Sequence, residues 1–411
     1  MINRFLVDRV TKATFKIRSS RSIWRLTADG DKPSVRPAPE KLPETTTWRK
    51  TSMPGIISDW SAVLAMHRSF ALEISIQSYQ KIIKSKGQLG SGNIMDASVF
   101  DIKKRGYLRV GVSLGLIGLS SKNSEGEWSG FDVDLARAVS VAIFGDDQCI
   151  EYFPLASNDR FDALQQNIID LGCFNSSITF SRETISEVKF CHPMLFDGEM
   201  LMTKSAGGMS RPIVSGEIRV AALEGSTTGD NLNRYFREQN LKGVVHLYKT
   251  FDDARNAYNL DVCNYYCLDG YLLSGEQTKL RDSRDHVILE QMISREAMSP
   301  ATLSSKTQLT SAVTWVLRSI IESENIGINS HNLNAFYELE NWYIRKYLHP
   351  DPRISSKLGI SPSFTADVVK NVGNYEEIFE RHLGSKSILR QTRRENRLRS
   401  VGGLLYSPLF I

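Results

Sequence analysis

The sequence predicts an α/β protein of two lobes preceded by a helical extension, and three observations carry that expectation. From Tyr107 onward, short apolar runs alternate with longer amphipathic ones, the signature of strands and helices building a mainly parallel sheet. The alternation then restarts: IRVAALEG at 218–225 reads as a strand and STTGDNLNRYFREQN at 226–240 as the helix after it. With 411 residues, 41% apolar and 24% charged, the chain has the length for two or three domains and an ordinary globular composition.

Taken in order, the first 26 residues are rich in Arg and Ser and place Ile2, Phe5, Leu6 and Val10 along one helical face, which fits an organelle transit peptide, an amphipathic start or a disordered basic tail. Arg, Lys or Asp interrupts every apolar run, so no secretory signal of roughly 7–15 apolar residues is visible. A cytoplasmic location is the expectation, with the periplasm as the alternative should the start or the export route differ. Residues 28–55 carry Pro33, Pro37, Pro39, Pro43 and Pro54 among Lys, Glu and Thr and read as an extended linker, so that 1–56 forms a basic N-terminus plus linker. Residues 57–99 follow as a helical extension, with Trp60, Val63, Leu64, Phe70, Leu72 and Ile76 on one broad face that needs something to pack on. Beyond it, LRVGV and DLGCF read as strands, and FDVDLARAVSVAIF and DRFDALQQN as helices.

Composition excludes several function classes. The formal charge of +5 is mild for this length, and the basic residues concentrate near the two ends, so no nucleic-acid partner is implied. No apolar stretch reaches the roughly 18 residues of a membrane span. The five cysteines are too few for a disulfide framework; Cys263 and Cys267 form a CxxxC, but the seven histidines show no paired spacing that would complete a metal site. G-x-S-x-G, GK[ST] and G-x-G-x-x-G patterns are absent, and the basic run RQTRRENRLR reads as a solvated helix face.

One block narrows the reading. NDRFDALQQNIIDLGCFNSSITFSRETISEVKFCHPMLF, residues 158–196, sets a helix, a short strand, a polar turn and a Ser-Arg pair in succession. RGYLRVGVSLGLIGLS and EWSGFDVDLARAV precede it; GSTTGDNLN, ISREAMSP, AVTWVLRSIIESENIGI, VGNYEEIFERHLG and GGLLYSPL follow. Over residues 100–410 this order resembles the periplasmic amino-acid-binding proteins, solute-binding protein family 3, and within them the general L-amino-acid branch of ABC-transporter binding proteins. The resemblance implies a type II periplasmic-binding-protein-like fold, with lobe one at 100–203, lobe two at 204–296, a return to lobe one and C-terminal helices at 297–411, and a ligand cleft between the lobes.

It also implies a ligand set. A free amino acid presents a carboxylate and an ammonium, so its site needs a cationic fork and a buried acceptor. Arg182, in NSSITFSRE, falls at the family's carboxylate-binding arginine, and a guanidinium can engage both oxygens in parallel. Asp269, in CNYYCLDGYLL, matches the family's ammonium acceptor, although an aspartate there can equally cap the next turn. Ser177 matches a carboxylate-binding hydroxyl, and Gly225, Ser226 and Thr227 match the turn that faces the carboxylate from lobe two, with helix capping as their other use. Neither a cofactor nor a metal is called for.

The chain also departs from the family pattern. Ile178 stands where relatives carry Trp, and Tyr271 where they carry a small residue. FDGEM at 196–200 replaces a Tyr-Asp-Gly-Gln pattern, and RRENRLRS lacks the family's Gly and Trp. Three functions stay open: a protein that binds an amino acid or a derivative as its small-molecule partner; a cytosolic dehydratase or lyase built on the same fold, with Asp197, Glu199 and the Cys191–His192 pair as its reactive groups; and a regulatory module that docks a protein partner through residues 1–95.

Overall fold

The computed structural model describes residues 15–18, 23–29, 32–37, 99–205 and 217–411. The first three segments form an antiparallel meander, Phe15–Arg18 against Ile23–Asp29 against Lys32–Pro37, with Leu26 opposite Val35. Residues 32–37 are therefore a paired strand rather than linker. They lie at the edge of this sheet, where Pro33 and Pro37 have no outer strand among the described residues to donate to. The remainder of the expected linker, the N-terminal helical face and the extension at 57–98 lie outside the described residues.

From Val99 onward the two-lobe α/β architecture is observed. The first sheet runs Ile150–Leu155, Leu108–Ser113, Leu171–Cys173, Ala301–Leu303, Val188–Phe190, with the first three strands parallel. The second runs Gly243–Tyr248, Ile218–Leu223, Tyr265–Asp269, Glu199–Lys204, His286–Ile288, again with the first three parallel. In each sheet the fourth strand is antiparallel and arrives from the other lobe. Leu195–Asp197 pairs antiparallel with Glu296–Met298, Phe196 opposite Ala297, and these two segments carry the chain between lobes. The first crossing thus precedes Glu199, several residues before the expected boundary at 203, because Glu199–Met202 pairs with Tyr266–Asp269 in the second sheet.

The helix Phe131–Phe144 is buried along almost its whole length between the first sheet and the helices Thr307–Asn325 and Phe364–Asn371, which explains its near-continuous apolar sequence. Gly130 opens it at φ +141°, where a Cβ would lie 2.1 Å from the Leu119 carbonyl oxygen, so only glycine fits. The helices Thr307–Asn325, Phe364–Asn371 and Tyr375–His382 of the C-terminal segment pack on Phe131–Phe144.

The final segment departs from expectation. The run RQTRRENRLR forms no α-helix, and its side chains are not solvated as a set. Fully buried Asn396 accepts a hydrogen bond from the Phe196 backbone N–H and donates one to the Phe196 carbonyl, each at 2.7 Å. Arg394 pairs with Asp197 at 3.0 Å and lies over the Tyr271 ring, 4.5 Å from its centroid. The Tyr271 hydroxyl donates to the Thr392 carbonyl at 3.0 Å, and Arg393 forms a two-bond pair with Glu324. The tail thereby ties the crossing strand and lobe two to the helices of lobe one.

Candidate functional site

The carboxyl ends of both parallel sheets point toward one cleft, the place where open α/β sheets collect ligand-binding loops. Its walls touch. At Gly225 of lobe two (φ +76°), a Cβ would lie 1.8 Å from the Asn158 side-chain oxygen of lobe one; at Gly275 it would lie 3.3 Å from the Ile117 carbonyl. The cavity between the lobes measures about 50 Å³, room for a small molecule rather than a polymer. Arg182, Ser177, Asp269, Gly225, Ser226 and Thr227 all line it.

The lobe-one wall is cationic. Thr179 caps the helix Phe180–Ile185 by accepting from the Arg182 backbone N–H at 3.1 Å, which places Arg182 in the first turn at the cavity. Its guanidinium donates once to the Ser177 carbonyl at 2.9 Å and stacks on Phe161 at 5.5 Å, using one of five N–H groups. Beside it stands Arg160, buried, its Nη2 donating to Ser113 Oγ at 2.8 Å and its Nε without a partner among the described residues. Burial and the neighbouring Arg182 lower the Arg160 pKa to about 10, against the opposing pull of Asp132 and Asp269. Asp132, behind Arg160, is pushed up to about 7 by burial despite that guanidinium.

The lobe-two wall is anionic. Asp269 ends the strand Tyr265–Asp269 and precedes the helix Gly270–Thr278, yet its side chain makes no capping hydrogen bond, so the turn-capping use does not occupy it. Burial, followed by repulsion from Asp197, Glu199 and Glu296, holds its carboxyl well above the usual range. Glu199 lines the same wall with 1% of its surface exposed. Thr227 Oγ1 donates to its Oε1 at 3.5 Å, and its Oε2 has no partner among the described residues. Burial, with Glu296 adding to it, raises Glu199 to about 7, offset in part by Thr228, Asn231 and Ser294. Carboxylate oxygens of Glu199, Asp269 and Glu296 all lie within 4.8 Å of one another. Ser226 donates to the Leu223 carbonyl at 2.7 Å and accepts from the Thr228 N–H at 3.3 Å, a turn that starts the helix Thr228–Glu238 with its N-terminus at the cavity.

Sequence reasoning did not single out Arg160 and Glu296, although both sit inside quoted blocks, RFDALQ and ISREAMSP. Of the groups considered for catalysis, only Glu199 reaches the cavity. Asp197 is held by Arg394 and by the Tyr271 backbone N–H at 2.8 Å. Burial drives the Cys191 thiol up to about 12, while burial and Arg318 drive His192 down to about 4; neither lines the cavity. Tyr271, one of the departures from the family pattern, does not line the cavity and packs edge-on to Phe379 beside the crossing strands. All five cysteines are free. Among the described residues no helix is long and apolar enough to cross a membrane.

Comparison with known proteins agrees with this fold. The profile of bacterial extracellular solute-binding proteins, family 3, matches residues 108–329. The general L-amino acid-binding periplasmic protein AapJ of Rhizobium johnstonii is 31% identical, covering 78% of this chain and 94% of that protein. The glutamate/glutamine/aspartate/asparagine-binding protein BztA of Rhodobacter capsulatus is 28% identical over 78% of this chain and 96% of its own length. Among solved structures, a Brucella ovis ABC-transporter periplasmic binding protein with glutathione bound superposes with a TM-score of 0.73 at 33% identity, covering 76% of this chain and 99% of that one.

Proposed function

This chain belongs to family 3 of the bacterial extracellular solute-binding proteins, and we propose that it binds the α-amino acid head group of a small ligand between its lobes, as the binding component of an ABC uptake system. The observation that carries the reading is that Arg182 and Asp269, on opposite lobes, line one cavity. Arg182 offers paired donors to a carboxylate, with Ser177 and the helix N-terminus at Thr228 adding to the positive field. Asp269, unused as a cap, accepts from the ammonium. A ligand held by both joins the lobes and stabilises closure. AapJ and BztA bind amino acids by name, and glutathione carries the same head group at its γ-glutamyl end.

The dehydratase or lyase alternative draws no support from the comparisons, and two of its three reactive groups are held away from the cavity. A partner docked through residues 1–95 likewise has no supporting observation. For location, the family is extracellular and AapJ is periplasmic by name, so we place this chain outside the cytoplasm, against the cytosolic expectation. Cell fractionation tests that placement. Mass spectrometry of protein incubated with mixed amino acids tests the binding: one compound retained unchanged, and lost in Arg182→Ala, supports the reading, whereas a new product mass overturns it.

A further inference from the structure

We propose that Glu199 makes this cleft selective for an α-amino acid carrying a second positive charge. The inference rests on the amino-acid reading above and concerns the charge that reading leaves over. Arg182 and Asp269 satisfy the two ends of a zwitterion. Arg160 is offset from behind by Asp132. Glu199 has no such cation: its flanking charged groups are Asp269 and Glu296 at the three-carboxylate cluster, with Arg182 across the cavity.

The geometry says what kind of group belongs there. An ammonium donating three hydrogen bonds of about 2.8 Å spans oxygens about 4.6 Å apart, and the oxygens of this cluster all lie within 4.8 Å of one another. One ammonium, however, brings one charge to three carboxylates. Glu199 Oε2 is also orphaned, at 1% exposure and on the cavity wall, where a buried acceptor without a donor is costly. A zwitterion's single ammonium brings three donors and one charge to this cluster, so it reaches one oxygen of each carboxylate and leaves the others without a ligand cation. A second cationic nitrogen in the ligand's side chain supplies both the donor and the charge. FDGEM, in which Glu199 replaces the glutamine of the family pattern, is the sequence trace of this difference.

The test is calorimetric titration of ligand-stripped protein with L-ornithine, L-lysine, L-glutamine and L-glutamate, for wild type and Glu199→Gln. One charge-assisted hydrogen bond gained or lost sets the expected scale: wild type binds ornithine or lysine at least about tenfold tighter than glutamine, and the variant loses that preference with its Tm unchanged or higher. Raising the pH from 6 to 8 strengthens the basic ligands in wild type only, as Glu199 ionises near Asp269, Glu296 and Arg182. Equal ranking of the four ligands in both proteins overturns the proposal and leaves the amino-acid reading intact. Glutamine binding that strengthens on acidification also overturns it, since Glu199 then acts as a protonated acid. Ca²⁺ or Zn²⁺ alone binding to wild type and not to the variant reassigns the cluster to a metal. No α-amino acid binding at all removes both readings.

Discussion

Asp197 and Glu199 are two residues apart, both almost fully buried, and treated in opposite ways. Asp197, on the crossing strand, receives Arg394 and the Tyr271 N–H; Glu199, at the start of the next strand, faces the cavity with one oxygen unmet. A buried carboxylate with its full set of partners fixes structure, whereas one left short is poised for something that arrives from outside. Sequence distance says nothing about which role a residue takes. What decides is whether a distant segment, here the C-terminal tail, reaches it.

The largest effect falls on the satisfied member. Arg394→Ala strips the cation from buried Asp197 and lowers unfolding free energy by about 3–5 kcal/mol, read by urea denaturation. A loss below about 1 kcal/mol would erase the distinction between the two carboxylates. Next, Arg182→Ala weakens amino-acid binding at least about 100-fold while leaving stability within about 1 kcal/mol, because its charge serves the ligand rather than the fold. Asn396→Ala orphans both backbone groups of Phe196 and costs about 2–3 kcal/mol, checked by thermal unfolding.

The smallest effect sharpens the comparison through pH. Glu199 has its folded pKa raised from 4.5 to about 7, so the folded state holds that proton more tightly than the unfolded chain does. Stability of the ligand-free protein therefore rises as pH falls from about 7 toward 4.5 and is penalised above 7. Glu199→Gln removes that penalty: at pH 8 the variant is more stable by on the order of 2 kcal/mol, and the gap closes by pH 5. A gap that is constant across this range would mean that Glu199 does not titrate with folding.

Much of this was legible in the chain. The strand–helix alternation from Tyr107 is local and periodic, so it could be read directly, and the ordered blocks from 105 to 409 resemble a family whose cleft places Arg182, Ser177, Asp269 and the 225–227 turn on one surface. The illegible part was long-range. Tyr271 and RRENRLRS looked like two unrelated departures from the family pattern, and the overlapping run RQTRRENRLR like a solvated helix face. In the fold they meet: the tyrosine hydroxyl bonds the Thr392 carbonyl and its ring carries Arg394. More than 120 residues separate them, beyond any periodicity. Arg160 was hidden differently, because an arginine in a helical run reads as surface until the sheet beside it is known.

The account turns on Arg182 and Asp269 gripping opposite ends of one ligand. Its most direct test is calorimetric titration of ligand-stripped protein with the tightest-binding amino acid, its carboxamide and its deaminated analogue, repeated on Arg182→Ala and Asp269→Asn. The prediction is that wild type rejects both analogues, that Arg182→Ala no longer distinguishes acid from carboxamide, and that Asp269→Asn no longer distinguishes amine from deaminated analogue. Analogues that bind wild type as well as the parent amino acid would contradict it.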